Sequence, residues 1–294
     1  MDDWDKAGKI AGDALLVGKK LIKPGARFIE VTEAIENKIN ELGGKVGFPI
    51  QISVNNIAAH YTCIYEDKSV FNEEDIVKLD MGASCEGAVG DTAVTVDLSG
   101  KNKDLCKASY SALLEAIKMA KPGVPVCSIG EAVGETIASF GFKPITNLSG
   151  HGLNRWIVHD KPTIPNYNNG DKTKLKEGQI IAIEPFATDG CGLVAEGVRS
   201  FNYKLVKVKP VRNSYARDLM KYISDNFRTL PFSQRWLYTR FNKLEVNVGM
   251  NALLREGVIQ NYAVLPEKNK GMVSQFEHTI RVGDKVLTRV EGSH

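Results

Sequence analysis

An internal repeat is the feature that most constrains how this chain can fold. A shift of 98 residues aligns residues 9–45 with residues 107–143 without a gap, and 13 of the 37 aligned positions are identical. Ordinary residue usage would give roughly two or three identities by chance. Each copy has the pattern of an amphipathic helix, a Lys-Pro-Gly turn and a second helix ending near a glycine. The repeat predicts an α/β fold of two similar halves, residues 1–100 and 101–294.

The repeat continues into strands that carry acidic side chains. Two apolar runs end in Asp80 and Glu184 at a shift of 104 residues, and two alternating strands begin with Asp91 and Glu277 at a shift of 186. Two-fold packing of the halves would bring these four carboxylates together at the centre. Because clustered buried charges repel one another, we expect a cation, or two, between them.

The second half contains an insertion. The change of shift from 104 to 186 means about 82 extra residues between roughly positions 186 and 275. Its middle has helical patterning, so we expect one domain over residues 1–294 that carries a helical insert subdomain at 207–270. This insert has 12 Lys and Arg against 5 Asp and Glu, a local charge of +7. Solvated faces of three short helices are the favoured interpretation, and a surface for RNA, such as the ribosome, is the alternative.

Three histidines add nitrogen ligands or donors to the expected acidic site. His151 lies between two glycines, and with four carboxylates it makes an oxygen-rich set. Such a set suits Mn, Fe(II) or Co better than a closed tetrahedral zinc site. His60 and His159 are 99 residues apart, near repeat-equivalent positions, and are expected to flank the metal from opposite sides. For each of these two, a core histidine bonded to a backbone carbonyl is the alternative.

Composition excludes several other classes of protein. The chain is 43% hydrophobic and 25% charged, which is typical of a folded globular protein. It has no run of 18 apolar residues and no signal-peptide pattern at its start, so we expect the cytoplasm and no membrane contact. Its five cysteines form no CxxC pair, which favours reduced thiols.

Five short motifs follow one another in the order found in the methionine aminopeptidases, and the chain resembles this family over essentially its whole length. The motifs are Leu79-Asp80-Met81-Gly82, Gly90-Asp91-Thr92-Ala93, Ser149-Gly150-His151-Gly152, Ile183-Glu184-Pro185-Phe186 and Gln275-Phe276-Glu277-His278-Thr279. The His60-Tyr61-Thr62 segment and the long insert before Glu277 resemble type II, in the short archaeal form without an N-terminal extension. The resemblance implies the pita-bread fold, with two pseudo-symmetric halves around a dimetal centre.

The resemblance also implies roles for individual residues. Asp91 and Glu277 would bridge two divalent metal ions, His151 and Glu184 would complete one of them, and Asp80 would chelate the other. The ions would be Co, Mn or Fe(II), with Zn a further option. Catalytic roles would fall to Glu184 as the base, His159 as the donor to the oxyanion and His60 as a contact to the peptide beyond the scissile bond. The substrate pocket would be lined by His60, Phe48, Val158, His159, Phe186 and Tyr262.

The expected activity is removal of N-terminal methionine from nascent peptides with a small second residue, by a monomer. A prolidase or aminopeptidase P shares the fold and the ligand types, but the type II motifs and the insert argue against it. A noncatalytic pita-bread protein could use the basic insert to bind RNA or a partner. The presence of all five ligands argues against this alternative, because a pure binding protein gains nothing from clustered acids.

Overall fold

The structure, a computed structural model, describes residues 1–289 and has seven helices and 16 strands in that range. The helices are α1 (Asp3–Leu21), α2 (Phe28–Glu41), α3 (Lys103–Met119), α4 (Val126–Ser139), α5 (Ser214–Asn226), α6 (Gln234–Leu237) and α7 (Lys243–Arg255). The strands are β1 (Lys45–Val54), β2 (Ile57–Ala59), β3 (Ile76–Cys85), β4 (Ala88–Asp97), β5 (Lys143–Pro144), β6 (Ser149–Asn154), β7 (Ile157–Pro165), β8 (Ile180–Ile183), β9 (Phe186–Thr188), β10 (Arg199–Leu205), β11 (Phe232–Ser233), β12 (Ile259–Ala263), β13 (Leu265–Pro266), β14 (Val273–Gln275), β15 (Glu277–Arg281) and β16 (Lys285–Val286).

The repeated helix pairs form as predicted. Helices α1 and α2, and again α3 and α4, are joined by the two Lys-Pro-Gly turns. Gly25 and Gly123 have φ values of 82° and 83°, which residues other than glycine rarely adopt. The helices bury their apolar faces against the strands in one large core. Matching turn geometry at equivalent positions therefore supports the two-half organisation.

An antiparallel sheet joins the two halves. Its strand order is β1-β3-β4-β15-β8-β6-β7, with β16 paired to β15. Strands β3 and β4 of the first half correspond to β8 and β15 of the second, so the halves meet where β4 pairs with β15. This order confirms the predicted α/β fold of two pseudo-symmetric halves.

Threonine side chains hold the central pair of strands together. The Thr279 hydroxyl accepts a hydrogen bond from the Asp91 backbone N–H and donates one to the Asp91 carbonyl, both at 2.8 Å. The Thr92 hydroxyl donates to the Glu277 carbonyl at 3.0 Å. Because Asp91 and Glu277 are the two residues expected to bridge metal ions, these bonds fix the backbone at the centre of the site.

The segment between β8 and β15 contains the three expected helices, α5 to α7, and strands as well. Strands β10, β11 and β12 form a separate sheet of order β11-β10-β12. Apolar side chains of the helices and this sheet form a second core of their own. The strands were not predicted because they are short, and β10 lies before residue 207.

The insert is attached to the first half by polar contacts. The Arg235 guanidinium forms ion pairs with Glu33 and Glu36 on α2, and the Trp236 indole N–H donates to Glu36 Oε1 at 2.8 Å. Lys243 Nζ lies 3.0 Å from Glu66 Oε2. Within residues 1–289, no helix is both long enough and apolar enough to cross a bilayer.

Candidate metal centre

The five residues expected to bind metal line one cavity of about 280 Å³. Asp80 lies on β3, Asp91 on β4, His151 on β6 and Glu277 at the start of β15, while Glu184 follows β8 directly. Asp91, His151 and Glu277 each present a ligand atom within 4.8 Å of the others. Glu184 Oε1 lies 3.6 Å from His151 Nε2. Five side chains from five separate chain segments thus converge on one point.

Strand register explains this convergence. Ala93 on β4 is paired with Asp80 on one side and with Glu277 on the other. Asp91 precedes Ala93 by two residues, so its side chain lies on the same face of β4. His151 is paired with Ala182 on β8, two residues before Glu184. The period-2 alternation of the central strands therefore places the ligands on one face of the sheet.

The cavity is electrostatically unfavourable for bare carboxylates. Burial raises the pKa of Asp80 to about 7. Burial, and then repulsion by neighbouring carboxylates, raises the pKa values of Asp91, Glu184 and Glu277 well above the ordinary range. Asp80 Oδ1 and Asp91 Oδ1 are buried and have no hydrogen-bond partner among residues 1–289. These oxygens need a cation or protons to be stable.

His151 provides the clearest test of whether a metal fits. Its Nδ1 lies 3.1 Å from the Gly152 carbonyl, which can only accept, so Nδ1 carries the proton. Burial lowers the His151 pKa to about 4, so the ring is neutral and Nε2 has a free lone pair. This lone pair faces Asp91 Oδ2 at 3.7 Å and Glu184 Oε1 at 3.6 Å. Acceptor atoms that face one another across this distance fit a divalent cation.

Gln275 organises two of the ligands and was not predicted as a site residue. Its Nε2 donates to Asp80 Oδ2 and to Glu184 Oε2, each at 3.3 Å. Its backbone N–H donates to the Thr95 hydroxyl at 2.8 Å, which fixes its position beside β4. The sequence does contain a signal for it, because Gln275 lies two residues before Glu277 in an extended segment and so shares its face.

Two further histidines lie in the cavity wall in neutral form. Burial lowers the pKa of His60, whose Nδ1–H donates to the Ala263 carbonyl at 2.9 Å, so its Nε2 is an acceptor. The His159 ring lies 4.6 Å from the His151 ring. Desolvation, followed by repulsion from neighbouring basic groups, lowers the His159 pKa well below its ordinary value. The Tyr262 ring is 5.3 Å from His60 and 6.0 Å from His159.

Apolar side chains form the rest of the wall. Phe48 and Phe186 are almost fully buried, and Val158 lies beside them in the lining. The Phe48 ring packs directly on Gly82, where any side chain would overlap the ring. All eleven residues expected at the site therefore line this cavity. An oxygen-rich cluster and an apolar wall share a single cavity.

The segment between β8 and β15 contributes wall residues that the motifs did not indicate. Asn202 on β10 is 3% exposed, lines the cavity, and has a buried Oδ1 without a hydrogen-bond partner in the described chain. Its backbone is held by pairing with Ser233 on β11. Pro231 also lines the cavity. Neither residue belongs to a motif. Each reaches the cavity only because this segment packs against the first half of the chain.

Comparison with known proteins agrees with this geometry. The model of "Metallopeptidase family M24" matches residues 3–282. The chain belongs to metallopeptidase family M24. A methionine aminopeptidase of Archaeoglobus fulgidus is 45% identical over 279 residues, which cover 95% of this chain and 94% of that protein. The resemblance to the methionine aminopeptidases is thereby confirmed.

Solved structures with this fold include both a methionine aminopeptidase and a prolidase. The crystal structure of methionine aminopeptidase from Thermotoga maritima has a TM-score of 0.71 and 25% identity, covering 97% of this chain and 95% of that chain. A prolidase from Pyrococcus furiosus has a TM-score of 0.62 and 20% identity, covering 98% of this chain and 63% of that chain. The likeness to the prolidase shows the fold alone, whereas the methionine aminopeptidase of Archaeoglobus fulgidus matches in sequence over nearly the full length of both chains.

Proposed function

We propose that this chain is a metalloaminopeptidase that hydrolyses the first peptide bond of nascent polypeptides beginning with methionine and a small second residue. One observation carries the proposal: a single cavity joins the oxygen-rich cluster to an apolar wall that includes Phe48, Val158 and Phe186. Identity of 45% to a methionine aminopeptidase over 95% of the chain supports the same activity.

Two divalent cations would be held by the five ligands. Asp91 and Glu277, which lie on strands paired at the centre of the sheet, would contribute to holding both ions. His151 and Glu184 would complete one ion and Asp80 the other. The carboxylate-rich set favours Mn, Fe(II) or Co, with Zn a further option. When bound, such ions polarise the scissile carbonyl and lower the pKa of a water towards neutrality.

The protein side chains would position the peptide and move the proton. Glu184 would take a proton from the attacking water and deliver it to the leaving amine. His159, neutral because its pKa is depressed, would donate an N–H to the carbonyl oxygen as negative charge develops there. His60 Nε2 is left as an acceptor by the bond from Nδ1 to Ala263, so it would accept an N–H of the peptide beyond the scissile bond.

Substrate choice would follow from packing. Methionine is unbranched and polarisable, which suits a pocket walled by Phe48, Val158 and Phe186. The second residue would lie among His60, His159 and Tyr262, where only a small side chain leaves room for the reaction. The His60-Tyr61-Thr62 motif and the long insert support assignment to type II, in its short archaeal form.

The charge of the basic insert bears on whether this protein binds the ribosome. Four of its 12 basic side chains, Lys209, Lys221, Arg235 and Lys243, form ion pairs with acidic groups of this chain. These pairs favour a role in solubility and docking over a ribosome contact, and we infer that the protein acts as a monomer. Co-sedimentation with ribosomes at two salt concentrations tests the alternative, because binding to RNA weakens steeply with salt.

A small peptide panel tests the proposed function. With Mn, Fe(II) or Co, the protein should release methionine from Met-Ala-Ser and Met-Gly-Met-Met, but scarcely from Met-Asp or Met-Lys peptides. Glu277→Gln protein, purified in the same way, controls for contaminating host peptidases and should be inactive and depleted of metal. Preferential cleavage of Xaa-Pro peptides without methionine would instead identify a prolidase. Absence of any cleavage with every metal would favour the noncatalytic alternative.

A further inference from the structure

A groove of about 290 Å³ continues from the metal cavity towards the surface. Four residues line both spaces: Val158, His159, Pro231 and Tyr262. Apolar side chains that are unusually exposed lie in the groove, with Ile157 42% and Val206 53% exposed. The groove is therefore an extension of the proposed active site, lined in part by apolar surface that nothing in the structure covers.

Strand geometry shows that the cavity and the groove form one continuous track. On β10, Asn202 lines the cavity, and Lys204, two residues later, lines the groove. Residues two apart on a strand share a face and are separated by about 6.6 Å, which is also the span of two residues of an extended peptide. On β12, Gln260 and Tyr262 repeat this spacing. An extended chain that runs along β10 with its first residue beside Asn202 would have its third residue beside Lys204.

Two of the three strands that line the groove lie at sheet edges, and the third is β10. Strand β7 ends the order of the large sheet, and β12 ends the order of the insert sheet. The outer backbone groups of an edge strand are available to an added extended segment. This feature favours a polypeptide over a compact small molecule as the occupant.

Lys204 gives the groove its charge. It is the only Lys, Arg, Asp or Glu side chain in the groove lining of the described chain. Its Nζ lies 5.4 Å from the centre of the Tyr262 ring, and it has no salt bridge to any residue in the range 1–289. The basic insert that follows β10 adds to the positive potential. An acidic side chain at this point would gain a partner, and a basic one would be repelled.

We propose that this groove binds the substrate polypeptide beyond its second residue and that Lys204 selects an acidic side chain at the third position. The inference rests on the proposed function for the location of the first residue. Side chains of an extended peptide alternate, so the fourth residue points away from Lys204. Charge at the fourth position should consequently matter much less than charge at the third.

Amidated tetrapeptides test this selection directly. The kcat/KM of Met-Ala-Glu-Ser should exceed that of Met-Ala-Lys-Ser by about three- to tenfold, mainly through KM, as for an exposed ion pair replaced by a like-charge contact. Met-Ala-Ser-Glu and Met-Ala-Ser-Lys should differ by less than about twofold. Lys204→Met should abolish the preference at the third position. Lys207→Met removes the same charge from an exposed lysine outside the groove lining and should retain the preference.

A binding readout separates this inference from the proposed function. Dye-labelled peptides in which the first peptide bond is reduced cannot be hydrolysed, and fluorescence anisotropy measures their affinity with or without metal. The Glu peptide should bind more tightly than the Lys peptide, and Lys204→Met should remove the difference, even if no peptide is cleaved. Equal affinities and equal kcat/KM values in the wild type would overturn the proposal. Sensitivity only at the fourth residue, or an equal effect of Lys207→Met, would also overturn it.

Discussion

Removal of the metal should make folding stability fall as the pH rises above neutrality. The pKa of Asp80 is raised to about 7 in the folded protein, against an ordinary value of 3.8. The folded state therefore holds a proton that the unfolded state has lost. The contribution of Asp80 to stability is full below about pH 4 and is lost as the pH rises through about 7. Asp91, Glu184 and Glu277, with pKa values raised in the same direction, extend the loss to higher pH.

The size of the effect follows from the shift. A difference of about three pKa units corresponds to roughly 4 kcal/mol for Asp80 between its fully protonated and fully ionised states. Domains are typically stable by only about 5–15 kcal/mol, so this is a large fraction of the total. His151 acts in the opposite direction, because its pKa is lowered to about 4 and its contribution is lost as the pH falls below about 6.5. The buried Lys78 also acts against the carboxylates, because its pKa is lowered to about 7 and stability therefore rises as the pH increases from about 7. The difference between metal-free and metal-bound protein from pH 6.5 to 8 therefore isolates the carboxylates.

Urea unfolding in EDTA and in saturating Mn²⁺ measures both states. Between pH 6.5 and 8, each excess proton held by the folded metal-free protein lowers the free energy of unfolding by about 1.4 kcal/mol per pH unit. We expect the metal-free protein to lose at least about 2 kcal/mol of stability relative to the Mn²⁺-bound protein over this range, because metal replaces protons, and to lose less in Asp80→Asn. A stabilisation by Mn²⁺ that is constant or decreases from pH 6.5 to 8 would refute the reasoning.

Two substitutions test residues that act without binding metal. His159→Ala should lower turnover by about 10²-fold to 10³-fold while metal content is retained, as for loss of an oxyanion donor, and a wild-type rate would return this histidine to a structural role. Asn202→Leu removes a buried amide oxygen without a hydrogen-bond partner in the described chain, so the free energy of unfolding should rise by about 1 kcal/mol while KM for methionyl peptides increases. Thermal melts and steady-state kinetics decide the second case, and lower stability with unchanged KM would contradict it.

The position of the metal ligands could be predicted because it depends on local periodicity. The repeat matched Asp80 with Glu184 and Asp91 with Glu277, and alternation along each strand then determined their faces. Pairing of Ala93 with both Asp80 and Glu277 is the structural consequence. Gln275 is at the limit of this method, because its spacing from Glu277 indicates the correct face but not that its amide reaches two carboxylates.

The insert could be predicted as helical but not as a wall of the pocket. Its strands have two to seven residues, too short for alternation to be distinguished from chance. Asn202 and Pro231 reach the cavity only because the insert folds back on the first half. That docking depends on pairs such as Arg235 with Glu36, which are 199 residues apart and match no repeat.

The two parts of the site therefore depend on different physical constraints. The candidate ligands are held by paired strands at the centre of the main core, where a shift of one residue would turn every carboxylate to the opposite face. The wall that the insert adds to the cavity is docked outside this sheet, by the side-chain contacts of Arg235 and Trp236 with Glu36 and by the pairing of β13 with β2. Changes in the insert can consequently alter which peptides fit while the metal centre stays intact. The motifs that contain the candidate ligands therefore predict the metal site better than they predict substrate preference.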